Sequence, residues 1–198
     1  NENLRDIKLE RPFYLGVQEV TNSQYRLFNE EHSSGTLQGL TLDNEAQPVV
    51  RITWAQAALF CNWLSDQESL PHFYDVAGED IVGFNPESTG YRLPTEAEWA
   101  WAARTDGSGN QLKYSWGSDL TPAENSGNFA DVTARSYLGQ ILFDYDDGYL
   151  ATAPVASFEA NQYELYDMAG NVSEWVHDFY GAVGSVGGVE VDPLGPTE

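Results

Sequence analysis

The sequence predicts one loop-rich α+β domain spanning residues 1–198, and three observations predict it. A chain of 198 residues with a hydrophobic share of 41% is the size of a single domain and can bury a core. An aromatic share of 13%, with six Trp and eleven Tyr, is high for a plain helical bundle. Eighteen Gly and nine Pro demand many turns.

The elements follow in order. "RPFYLGVQEVTNSQYRLFNEEH" opens with a short apolar strand, Phe13 to Val17. Val20-Thr21-Asn22 then offers an N-cap, and Ser23 to Asn29 reads as a helix. Residues 33–47 are a polar loop. "PVVRITWAQAALFCNWLSDQ" is the clearest helix, with Thr53 as its cap and Ala57, Ala58, Phe60, Cys61 and Leu64 at helical spacing. Residues 66–90 read as irregular. "YRLPTEAEWAWAAR" is a second strong helix, because Pro94, Thr95 and Glu98 together make a capping-box start. Residues 105–165 are Gly-, Asp-, Asn- and Ser-rich loops with short strands. "ELYDMAGNVSEWVHDFY" holds a strand, Val172 to Val176, and a Gly- and Pro-rich tail follows. There is no internal repeat. A domain with some sixty residues of such loop needs something besides ladders to hold it, a functional or ion-stapled region.

Net charge is 9 − 31 = −22. Such a surface repels nucleic-acid phosphates and anionic membranes, and it suits cations or a basic protein or peptide partner. No apolar run approaches transmembrane length, which argues against membrane insertion. The opening "NENLRDIKLERPFYLG" does not read as a signal peptide. The lone Cys61 permits no disulfide within the chain, so cysteine usage does not fix the compartment. On the apolar side of its helix it reads as a buried, inert thiol.

Four features bear on chemistry. Asp144, Asp146 and Asp147 in "FDYDDGY" repel one another, a cost that a hard cation removes. An EF-hand is excluded, because Val155 stands where its Glu would fall; a solvated Asx-rich turn is the plainer reading of the pattern. His32, His72 and His177 lack metal-ligand spacing. The sequon Asn171-Val172-Ser173 abuts an apolar segment and reads as chance. No phosphate-binding glycine loop and no nucleophile elbow occur.

Six segments in order then resemble one family: "LGVQEVTNSQYRLF", "PVVRITWAQAALFCNWLS", "YRLPTEAEWAWAAR", "YSWG", "TAPVASFEANQYELYDMAGNVSEW" and "VDPLGP". Together they are similar to the sulfatase-modifying-factor family, the formylglycine-generating enzyme and its relatives, from about Phe13 to Pro196. The resemblance implies a loop-rich variant of the C-type-lectin fold and two calcium sites. In the first, Asp167 and Glu174 would give side-chain oxygens, and Gly170 and Val172 would give carbonyls. Asp167 stands where well-studied members have Asn, which keeps an oxygen ligand and adds charge. In the second, Asn128 and Asp147 would give side chains, and Phe129 and Tyr149 carbonyls; Asp146 would be a neighbour and Asp144 a spectator. Oxygen-only donor sets of this kind suit calcium on physical grounds too.

Catalytic members of the family use a C-terminal cysteine pair that binds Cu(I), following an "RGGSW"-like segment. This sequence runs to "VDPLGPTE", before that segment would come, and Cys61 matches the family's helix position rather than the copper site. The expectation is therefore a calcium-stabilised domain acting as a noncatalytic binding or structural module, with no catalytic residue of its own. The alternative is a copper-dependent formylglycine-generating oxidase whose cysteine pair lies outside this chain. A third, iron-dependent sulfoxide synthesis, needs a histidine cluster that the three scattered histidines do not make. Calcium and the acidic surface point to an extracytoplasmic setting, periplasmic or secreted.

Overall fold

Among the described residues, three helices and six short strands carry the regular structure, and loops carry most of the rest. The structure, a computed structural model, describes residues 6–181 and 188–195. In chain order the elements are β1 (Asp6–Lys8), α1 (Asn22–Arg26), β2 (Thr36–Leu37), β3 (Leu40–Thr41), α2 (Trp54–Gln67), β4 (Tyr74–Ala77), β5 (Asp80–Phe84), α3 (Glu96–Arg104) and β6 (Val189–Val191), with a 3-10 turn at Val132–Ala134 before β6. The strands pair only in twos: β1 with β6 in parallel, β2 with β3 and β4 with β5 antiparallel. The mixture is the expected loop-rich α+β class. Among the described residues, no helix is long and apolar enough to cross a membrane.

The helix starts follow their caps. Thr21 accepts the Gln24 amide at 3.1 Å, and Gln24 Oε1 accepts the Thr21 amide at 2.9 Å, a reciprocal box that starts α1. The helix ends at Arg26, short of the expected Asn29. Helix α2 begins directly after Thr53. Thr95 Oγ1 accepts the Glu98 amide at 3.1 Å, while Glu98 Oε2 accepts the Thr95 amide at 2.8 Å, so the box expected for α3 is present.

Three expected segments differ. Phe13 to Val17 forms no strand: Tyr14 and Val17 are exposed, the stretch has no ladder, and the chain bends at Val17. Val172 to Val176 forms no strand either. The two residues before it, Gly170 and Asn171, sit at φ 85° and 58°, and the Val172 amide goes to a side chain instead of a neighbouring strand. In the stretch read as irregular, residues 74–84 form the β4–β5 hairpin. Gly78 at φ 71° begins its two-residue loop, a backbone shape that glycine adopts without strain.

The chain packs as two compact units. The first comprises residues 1–15, 54–101 and 175–198. Its core joins Ala58 and Cys61 of α2 to Phe73 and Tyr74, with Trp54, Ile81, Phe84 and Leu93 packed on them. Phe73 and Tyr74 are each 1% exposed, a burial worth roughly 1.5–3 kcal/mol for a side chain such as Phe. The second unit comprises residues 16–53 and 102–174. Few ladders hold it, and buried polar side chains take their place. Asn22, fully buried, donates to the carbonyls of Leu42 and Asn44 and accepts from Ser34 Oγ at 2.6 Å.

Candidate metal centre

All eight residues expected to hold calcium lie in the second unit. The first group sits on a tightly wound loop. Asp167, Gly170 and Asn171 all have left-handed backbones, at φ 57°, 85° and 58°. Glycine takes this shape freely, and Asn and Asp tolerate it better than most residues do. Such strain persists only where the surroundings over-determine it, and it collects at functional loops.

Asp167 is 6% exposed. Its Oδ2 accepts the Ala156 amide at 2.7 Å, while its Oδ1 is buried with no hydrogen-bond partner. An orphaned buried carboxylate oxygen is costly, and a cation ligated there removes the cost. Burial pushes the Asp167 carboxyl above its ordinary range. Glu174 is exposed at the end of the loop.

Glu19 completes the electrostatics. It is buried, and its carboxyl is pushed up to about 8 by burial first and then by the charges of Asp167 and Glu174, against the Asn171 and Val172 hydrogen bonds. Three carboxylates thus share one field. Among the described residues, no three His, Cys, Asp or Glu side chains converge to hold a metal by themselves. An ion at this loop must therefore also take backbone carbonyls, which calcium accepts readily and softer metals do not.

The structure draws the second group together through Asp147. Its Oδ2 accepts the Phe129 amide and its Oδ1 the Tyr149 amide, both at 2.8 Å. Burial, aided by the neighbouring Asp131 charge, raises the Asp147 carboxyl despite these donors. Asn128 Nδ2 donates to the Ala151 carbonyl at 2.6 Å and to Asn171 Oδ1 at 3.2 Å. Both amide hydrogens are therefore spoken for, and Oδ1 is the atom left to present to an ion. Asp146 only closes a local turn on the Gly148 amide, and Asp144 is exposed.

Sequence reasoning missed three side chains here. Glu19 lies far upstream in "VQEVTN", a single carboxylate between Gln18 and Val20. Fully buried Asp131 accepts the Asp147 amide at 2.6 Å and also receives Thr133, whose hydroxyl donates to the Tyr149 carbonyl at 3.0 Å. Asn171 stands out in the sequence only as the first residue of the sequon, not as a link between loops. Its amide is engaged with Glu19 and Ala153, which leaves the sequon no free acceptor nitrogen.

Residues suited to other metals are engaged elsewhere. Cys61 is buried and its thiol is pushed up to about 12 by burial, so it offers no thiolate near neutral pH. His32 bonds the Val50 carbonyl, His72 pairs with Asp66, and buried His177 meets the Tyr74 hydroxyl at 3.2 Å.

Comparison with known proteins identifies the scaffold. The profile described as "Sulfatase-modifying factor enzyme 1-like domain" matches residues 2–192. The formylglycine-generating enzyme of Thermomonospora curvata is 34% identical over 161 residues, covering 78% of this chain and 42% of that protein. The chaperone protein LppX of Paenibacillus barcinonensis is 29% identical over 183 residues, covering 85% of this chain and 62% of that protein. The chain thus spans less than two thirds of the length of either relative. Among solved structures, Treponema denticola variable protein 1 superposes with a TM-score of 0.66 at 27% identity, covering 90% of this chain and 66% of that one. The orphaned acidic loop therefore sits on a scaffold of known type, and the chain belongs to the sulfatase-modifying factor enzyme 1-like domain family.

Proposed function

We propose that this chain is a calcium-stabilised binding or structural module, with one ion held by the Asp167–Glu174 loop and a second by Asn128, Phe129, Asp147 and Tyr149. The observation that carries the reading is the buried, partnerless Oδ1 of Asp167 beside the Glu19 carboxylate. Bound calcium supplies two positive charges and a preference for six to eight oxygens. The chain's own part is to deliver those oxygens from loops that have few ladders to order them, so the ion's binding energy becomes folding energy. Its partner would be a protein or peptide, and an extracytoplasmic compartment would keep the sites filled. The test is isothermal titration of the chelator-treated protein with calcium. Two equivalents bound would support the reading, and no binding would sink it.

The second reading is a formylglycine-generating oxidase, favoured by the 34% identity to an enzyme of that name. Cys61 does not fit Cu(I), being buried and protonated, so the copper ligands would have to come from outside this chain. Iron-dependent sulfoxide synthesis would likewise need histidines from elsewhere. Supplying this chain with the segment or partner that carries a cysteine pair, together with Cu(I), oxygen, a thiol reductant and a sulfatase-derived cysteine peptide, and then reading peptide mass, separates the classes. Conversion to the aldehyde would establish the oxidase, and an unchanged peptide would leave the module.

A further inference from the structure

The two candidate calcium loops are not independent in space. The Asn171 amide donates to the Asn128 carbonyl at 2.8 Å, and Asn128 Nδ2 donates back to Asn171 Oδ1 at 3.2 Å. Asn171 Nδ2 in turn donates to Glu19 Oε2 at 2.7 Å. The three side chains form a relay with every donor pointing one way, from Asn128 through Asn171 to the carboxylate. Each bond in such a chain polarises the next. Ala153 fixes the orientation of Asn171, its amide donating to Oδ1 at 2.9 Å. With Asn171 fixed, the Asn128 amide group cannot turn over without losing two acceptors.

The backbones interlock as well. A Cβ on Gly170 would collide with the Asn128 carbonyl, and one on Gly127 would collide with the Ala169 carbonyl. Segments 127–128 and 169–171 thus press backbone on backbone, with the Phe129 ring closing over both glycines. Displacing Gly170 or Val172 to meet an ion displaces Asn171, and Asn171 sets where Asn128 Oδ1 points.

From this contact we infer that Asn171 is a positioning residue that couples the two cation sites, so that an ion taken by either loop raises the affinity of the other. The inference rests on the two-calcium reading above. Asn171 contributes no proposed ligand. Its place between the Gly170 and Val172 carbonyls makes it the hinge through which one loop senses the other. Coupling of this kind is reciprocal, so each site must change the other by the same factor.

The experiment is calcium titration calorimetry on the whole chain. Glu174→Gln disables the first loop and Asp147→Asn the second. Each variant is expected to weaken the surviving site by roughly tenfold relative to that site in the intact protein, within the usual range of coupling between sites. In an Asn171→Gly background, which tolerates the left-handed backbone but lacks the relay, Glu174→Gln should leave the surviving site unchanged. Surviving sites of intact affinity in both single variants would overturn the coupling while leaving two calcium ions in place. Coupling that persists in Asn171→Gly would overturn the role of Asn171. An intact protein that binds no calcium would overturn the two-ion reading and the coupling with it. Should Asn171→Gly fail to fold, the reciprocal pair of single variants still decides whether coupling exists.

Discussion

Asn171 Nδ2 donates to Glu19 Oε2 at 2.7 Å across 152 positions of sequence. The same carboxylate accepts the Val172 amide through Oε1 at 3.3 Å. Glu19 thereby ties the start of the second unit to the loop that carries Asp167 and Glu174. Glu19→Ala takes the acceptor from two part-buried donors, each loss costing up to about 1–3 kcal/mol. The expected outcome, with calcium in constant excess, is an unfolding free energy lowered by that amount, read as a lower urea midpoint at an unchanged slope. An unchanged midpoint would mean that water replaces the carboxylate at no cost.

Chelation is expected to lower the melting temperature of the intact protein. An ion at a hundred times its dissociation constant stabilises the folded state by about 2.7 kcal/mol. Glu174→Gln and Asp147→Asn should each shrink the difference between calcium-loaded and chelated melting curves. Curves that superpose in all three proteins would show that neither loop draws stability from an ion.

In the first unit, Arg92 holds Glu98 with two short bonds, Nη1 to Oε2 at 2.7 Å and Nη2 to Oε1 at 2.6 Å. Burial pushes the Glu98 carboxyl up, but the Arg92 pair and the Thr95 amide outweigh it and leave it below its ordinary 4.5. A carboxyl lowered on folding adds stability that is fully present above the unfolded value. That stability is lost as pH falls through the folded value. Glu98→Gln should therefore be less stable than the parent at pH 7, and the gap should close on acidification below about pH 4.5. A gap that stays constant from pH 7 to pH 3 would show that the carboxylate's charge contributes nothing and that only its shape matters.

These sites differ in how far they could be read from sequence. The Thr95–Glu98 box and the Thr21 cap were legible because each is complete within four residues. Asp167, Glu174 and Asp147 were singled out as expected ligands only through the family resemblance of the ordered motifs that carry them. Val172 to Val176 misled because Val172, Trp175 and Val176 are residue types that favour strands. Left-handed backbones at Gly170 and Asn171 turn its amides away from any ladder. The β4–β5 hairpin was hidden because Asp75, Glu79, Asp80 and Gly83 dilute its alternation with polar and flexible residues. Glu19 and Asp131 gain their roles only from partners that the chain brings in from a distance, and no local pattern announces that.

Gly170 gives the sharpest test of the packed loops. Its φ of 85° disfavours any side chain, and a Cβ there would strike the Asn128 carbonyl, a backbone atom that cannot rotate aside. The left-handed strain alone costs Ala about 1–2 kcal/mol, and the collision adds to it. Gly170→Ala should lower stability by more than about 2 kcal/mol and should weaken calcium binding at both loops, because relieving the clash drags Asn128 with it. The control is Gly148→Ala, also left-handed at φ 81° but with open space around its Cβ. It should lose only the strain energy. Equal losses in the two variants, by urea denaturation, would show that the contact between segments 127–128 and 169–171 yields freely, and the physical basis for communication between the loops would be gone.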